Sequence, residues 1–250
     1  MRVHGDKVLR RRENIGKLEH YRDAREILEE DFQFLCGYCG KNGKVMHEKF
    51  HIDHFVPKSL DESRKNDYYN LVLACPKCNL SKSDKWPTED KDKPNDGIKG
   101  FVDPATEEYD KHLKRNEDGY IEGITPVGES ICEMLHFDIR RTDLYWKIER
   151  MRESLDRMNL LFQQGKLTAE EKDFYIRMNI LLSQYIDDAF EKGEYYSSTT
   201  ATPNSHRPSS LGWMASARYS AALSASHRST SLIFRKSTPS AAAVSSAAAT

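Results

Sequence analysis

The 250-residue sequence predicts an α+β fold, and three observations carry that assignment. Two short apolar segments, Phe50–Val56 and Asn70–Ala74, have the aromatic and β-branched content of strands, and the second runs into a helix start at Cys75-Pro76. Two Cys-x-x-Cys pairs, Cys36/Cys39 and Cys75/Cys78, enclose the strands and reach into that helix. Helical periodicity flanks the unit on both sides.

Ahead of the core, Leu18, Tyr21, Ala24 and Leu28 recur at helical spacing, so a helix is expected over roughly 18–31. Behind it, TEDKDKPNDGIKG (88–100) is charged and turn-rich, as a linker loop is. Two long helices follow. Leu144, Ile148, Met151, Leu155, Met158 and Phe162 mark the first, over 141–163, and Phe174, Met178, Leu181 and Tyr185 mark the second, over 168–191. Thr168 and Glu171 have capping-box spacing, and QQGKL between the helices implies an antiparallel hairpin. The apolar stripes are expected to pack on each other and the core; a homodimer seam is the alternative. Residues 197–250 are rich in Ser, Ala and Thr and read as a disordered tail, either native or a reading-frame artefact. The chain thus divides into a basic N-terminal arm and helix (1–35), a core (36–87), the linker (88–100), a mainly α-helical region (101–196) and the tail.

The net charge of −1 hides an uneven layout. Residues 197–250 hold five Lys/Arg and no acid, and residues 1–17 carry six bases against two acids. From Cys36 to Trp86 there are nine bases against six acids, so acid accumulates mainly after residue 86. A mildly basic front suits a polyanionic partner. No apolar run approaches the roughly 20 residues of a membrane span, and no apolar segment backs the charged N-terminus as a secretory signal would require. A cytoplasmic location is expected, and there clustered cysteines serve as metal ligands more often than as disulfides.

Four thiolates in two Cys-x-x-Cys knuckles suit tetrahedral Zn²⁺. The 35 residues between Cys39 and Cys75 exceed the about 15–20 of an ordinary zinc ribbon, so a substantial element is folded between them. Gly37 and Gly40 fit the tight turn that aims two sulfurs at one ion. Cys132, in a helical context with Ile131, Met134 and Leu135, reads as a buried small hydrophobe.

On the first strand Asp53 and His54 point to opposite faces unless the chain bends, and Pro57 close behind is consistent with a bend. On the helix, Asn79 and Lys82 are three residues apart and share a face. The order Cys-x-x-Cys, His51-Ile-Asp-His-Phe-Val-Pro57, then Asn70-Leu-Val-Leu-Ala-Cys-Pro-Lys-Cys-Asn-Leu-Ser-Lys82 resembles the HNH endonuclease family, with its ββα-metal core. The close match runs from Cys36 to about Pro87. Downstream, DPATEEYDKHL and EDGYIEGITPVGESICEML look like extensions of standalone HNH proteins in prokaryotic anti-phage systems, including the Septu type.

The resemblance implies a metal-dependent endonuclease acting on DNA, with RNA left open. His54 would be the general base, its ordinary pKa near working pH. Asp53 and Asn79 would hold Mg²⁺ or Mn²⁺ through oxygen, Asn70 would fix the loop and orient His54, and Lys82 is more plausible as a phosphate contact than as a ligand. Asn79 and Lys82 occupy the last two motif positions, as in the HNH domains of CRISPR effector nucleases, which argues against a histidine-rich catalytic site.

Other residues draw plainer expectations. His51 could line the site, but a structural role is preferred; His47 reads as a solvated hairpin residue. Trp86 is expected to cap the core rather than stack on a base. Arg10–Arg12 form either a nucleic-acid arm or a solvated terminus. A non-catalytic zinc module binding nucleic acid or protein is the rival reading. A third keeps the nuclease silent until an ATPase or sensor subunit releases it.

Overall fold

The computed structural model describes residues 1–192; the tail expected at 197–250 lies outside them. Its centre is a two-stranded antiparallel sheet backed by a helix. Strand β1 (His51–His54) pairs with β2 (Leu71–Ala74) in a register that sets Asp53 opposite Val72 and His54 opposite Leu71. The consecutive apolar residues of β2 are buried on both faces. Helix α2 (Pro76–Lys82) follows at once: Cys75, in an extended conformation, is its N-cap, and Pro76 supplies a first-turn residue that has no N–H to satisfy.

The helix expected over 18–31 begins later, as a 3₁₀ turn at Tyr21–Ala24 that runs into α1 (Arg25–Asp31). The reason is local. The His20 ring accepts the Arg22 N–H at 3.1 Å while the Asp23 carboxylate accepts the His20 N–H at 3.1 Å, a capping box closed by histidine. Asn66 pins the approach, its Oδ1 accepting from the Tyr21 N–H and its Nδ2 donating to the Glu19 carbonyl.

Residues 101–192 are mainly helical, as expected, with one short hairpin added. After the short α3 (Tyr109–His112), β3 (Leu113–Arg115) and β4 (Ile121–Gly123) form a hairpin whose turn uses Gly119 at φ +94°. Met1 exchanges two backbone hydrogen bonds with Arg115, and Val3 and Leu9 are buried, so the first residues are built into the core. Helix α4 (Pro126–Met134) is capped by Thr125.

Helices α5 (Thr142–Gln163) and α6 (Ala169–Lys192) form the expected hairpin, and Thr168 and Glu171 make the reciprocal capping bonds. Leu144, Ile148, Met151 and Leu155 of the predicted stripe are buried, whereas Phe162, stacked on Tyr175, is exposed. The first half of α5 lies against the N-terminal segment, with Glu149 accepting from both Lys7 and Asn42. No helix among the described residues is long and apolar enough to cross a membrane.

Candidate functional site

The two knuckles converge. The Sγ atoms of Cys36, Cys39, Cys75 and Cys78 lie within 4.8 Å of one another, all buried. Cys39 and Cys75 Sγ are 3.8 Å apart, close to the about 3.8 Å edge of a tetrahedron with Zn–S bonds of about 2.3 Å. The donor set therefore fits a structural zinc ion. Two backbone features shape the first knuckle. Gly40 sits at φ +69°, where a side chain is strained. Gly37 is needed for room instead: a Cβ there would meet Val72 Cγ1 at 2.8 Å and Phe32 Cε1 at 2.9 Å. Its N–H bonds the Leu73 carbonyl of β2, which ties the knuckle to the sheet.

Arg140 completes the clamp. Its buried guanidinium donates to Cys78 Sγ at 3.2 Å and reaches Cys75 Sγ at 3.8 Å. Four thiolates on one Zn²⁺ leave two negative charges, and Arg140 offsets one of them. Burial alone would lower its pKa, but the thiolates raise it. A second buried arginine, Arg115, donates to the carbonyls of Val3, Gly119, Thr142 and Cys39, joining four segments around the first knuckle. The sequence reading missed both. Their knuckle partners are distant along the chain, and no local spacing marks them.

On the α2 side of β1, Asp53 Oδ2 accepts from the Tyr38 hydroxyl at 2.6 Å and lies 3.3 Å from the Lys82 ammonium. Burial pushes the Asp53 carboxyl above its ordinary pKa, against the pull of Lys82 and Tyr38. Both anchors fall on Oδ2, so Oδ1 takes neither. Tyr38 was overlooked by the sequence reading, although its place between Cys36 and Cys39 determines where it must point. Lys82 requires a correction. Its side chain is 0% exposed, its ammonium also donates to the His54 carbonyl at 2.8 Å, and it lies under Phe101. A side chain so enclosed is a brace between α2 and β1, and the expected phosphate contact is not open to it.

One turn before Lys82, Asn79 is on the surface, its Nδ2 3.2 Å from His51 Nδ1. The amide nitrogen donates in this contact, so Asn79 Oδ1 takes no part in it. His51, expected as structure, thus shares the exposed end of the site. The carboxylate and amide oxygens of Asp53 and Asn79 are donors of the hard kind that suits Mg²⁺ or Mn²⁺.

His54 faces the other way, as strand alternation requires. Its Nε2 is 2.9 Å from the Lys65 carbonyl, and its ring stands edge-on to Tyr21 at 5.0 Å. A carbonyl only accepts, so Nε2 carries the proton and Nδ1 the lone pair. Burial lowers the His54 pKa, with the Lys65 carbonyl opposing and Lys58 assisting, so the neutral form is favoured. Asn70 is buried and makes no hydrogen bond to His54. Its Oδ1 accepts the Val56 N–H at 2.8 Å, and its Nδ2 donates to the Val56 carbonyl at 3.0 Å and the Arg64 carbonyl at 3.4 Å. It clips the bend after β1 to the loop whose next carbonyl, that of Lys65, holds the His54 ring.

Among the remaining expectations, Trp86 packs edge-on to Phe55 and stacks on Phe101, capping the core. Cys132 is partly buried, and burial pushes its thiol up to about 12. The reading of Arg10–Arg12 as a nucleic-acid arm finds no support: Arg10 pairs with Glu107, Arg11 with Asp103, and Arg12 with Glu30 and Asp31.

Residues 36–85 match the family model described as HNH endonuclease. No curated protein and no solved structure matches the chain. The match spans the knuckles, both central strands and α2, the segment that holds the four cysteines, Tyr38, His51, Asp53, His54, Asn70, Asn79 and Lys82.

Proposed function

We propose that the HNH endonuclease domain at residues 36–85 makes this chain a metal-dependent endonuclease that hydrolyses phosphodiester bonds in DNA. The observation that carries the reading is the carbonyl-oriented ring of His54, the last residue of β1 and the neighbour of Asp53, within the segment that matches the family model.

His54 acts as general base through its free ring nitrogen, taking a proton from the attacking water. The Lys65 carbonyl fixes the tautomer, and the Asn70 clip holds that carbonyl in place. Asp53 and Asn79 would hold Mg²⁺ or Mn²⁺ through oxygen, and the ion would supply charge stabilisation at the scissile phosphate and the leaving 3′ oxygen. Lys82 and Tyr38 orient the Asp53 carboxylate, and His51 orients the Asn79 amide. The zinc clamp acts as scaffold, joining the start of α2 to the knuckle that carries Tyr38. Products would be 5′-phosphate and 3′-hydroxyl ends.

Supercoiled plasmid incubated with zinc-loaded protein tests the reading. Nicked or linear DNA should form with Mg²⁺ or Mn²⁺ and not with EDTA, and intact plasmid under every metal condition overturns it. As a biological role we carry a defence effector that acts with an ATPase or sensor subunit; supplying the product of a neighbouring gene, and finding cleavage unchanged, would remove that role.

A further inference from the structure

Resting on the nuclease reading, we propose that the His20–Arg22 turn and Lys58 form a strand-binding platform for DNA beside His54. Tyr21 would stack on a base, and Arg22 and Lys58 would hold the neighbouring phosphates. The arrangement joins aromatic rings to two cations. The Tyr21 ring meets His54 edge-on at 5.0 Å and stacks with His20 at 4.8 Å. The Arg22 guanidinium and the Lys58 ammonium lie 5.6 and 5.8 Å from its centroid. His20, Arg22 and Lys58 are exposed, and Tyr21 is half-buried.

Most cations of the N-terminal segment are ion-paired. Arg2, Lys7, Arg10, Arg11, Arg12 and Arg25 each have a carboxylate partner. Among the described residues, Arg22 and Lys58 have none within 4.0 Å. Two nearby acids are already engaged: Asp23 caps the His20 N–H, and Glu62 pairs with Lys65. Two cations left over an aromatic face, next to the proposed base, match the phosphates and bases of a nucleic-acid strand. The platform is also pre-organised, because Asn66 and the capping box fix the backbone on both sides of Tyr21 before any ligand arrives.

Binding tests this without depending on cleavage. Anisotropy of a labelled oligonucleotide is measured with His54→Ala protein as parent. Adding Tyr21→Leu should weaken binding about tenfold, as loss of one stacked base does, while Tyr21→Phe should stay within about twofold. Adding Arg22→Ala with Lys58→Ala, both at exposed positions, should weaken binding and lower the slope of log affinity against log salt by about one to two. Arg177→Ala, the loss of one charge on α6, should leave affinity unchanged. Equal affinity for the parent, Tyr21→Leu and the double variant overturns the platform and leaves the nuclease reading intact. So does an Arg177→Ala loss as large as that of the platform variants. A parent that binds no DNA overturns both.

Discussion

Lys82 and Asp53 form a buried ion pair, 3.3 Å from ammonium to Oδ2, that joins α2 to β1 beneath the surface of the site. Removing one member of such a pair strands the other charge. Lys82→Met should therefore cost about 3–5 kcal/mol in urea unfolding, with DNA affinity of the folded protein retained. Unchanged stability with weakened DNA binding would return Lys82 to the role of phosphate contact.

Arg140 donates to two of the four knuckle sulfurs. Arg140→Met should retain one zinc per chain but lower zinc affinity by about 10–100-fold in chelator competition, the usual effect of losing a partner of the ligands. Cys78→Ser should lose the metal and the cooperative unfolding transition together. A zinc affinity indifferent to Arg140 would show that its charge is not coupled to the cluster.

Asn70 satisfies both polar groups of the Val56 peptide in a buried setting. Asn70→Ala should cost about 1–3 kcal/mol for each group left unpaired. Because His54 is held through this loop, kcat should fall while KM stays near wild type. A change confined to KM would contradict the positioning role.

His4 gives a pH signature. Its ring bonds the Gly37 carbonyl at 2.7 Å, and burial lowers its pKa from 6.5 to about 4. Between these values the unfolded chain binds the extra proton, so the stabilisation is complete above about 6.5 and is lost as pH falls towards 4. The loss reaches roughly 3 kcal/mol. The difference in unfolding free energy between wild type and His4→Gln should narrow over that window, while thiolate protonation cancels between the two proteins. A constant difference would show that His4 titrates alike in the folded and unfolded states.

The residues legible in the sequence were those whose neighbours are set by short spacing. Cys75-Pro76 announced both a ligand and a helix start, and Asp53-His54 on a strand announced two faces. Depth was not legible. The three-residue step from Asn79 to Lys82 correctly placed them on one face of α2, but whether that face ends in solvent or under Phe101 depends on a residue 19 positions on. Arg140 reaches sulfurs more than 60 residues away, and β3 and β4, at three residues each, are too short to show alternation. His51 passed for structure because its partner, Asn79, lies on another element.

The most direct test of the account is single-turnover cleavage of plasmid in Mg²⁺ by wild type against His54→Ala, at matched zinc content and matched DNA occupancy. The account predicts metal-dependent cleavage by wild type, with a loss of about 10²–10⁴-fold in the variant, the range of a general base. Equal rates for the two proteins would contradict His54 as the base. Tight DNA binding with no cleavage by either would make the domain a zinc-held binding module.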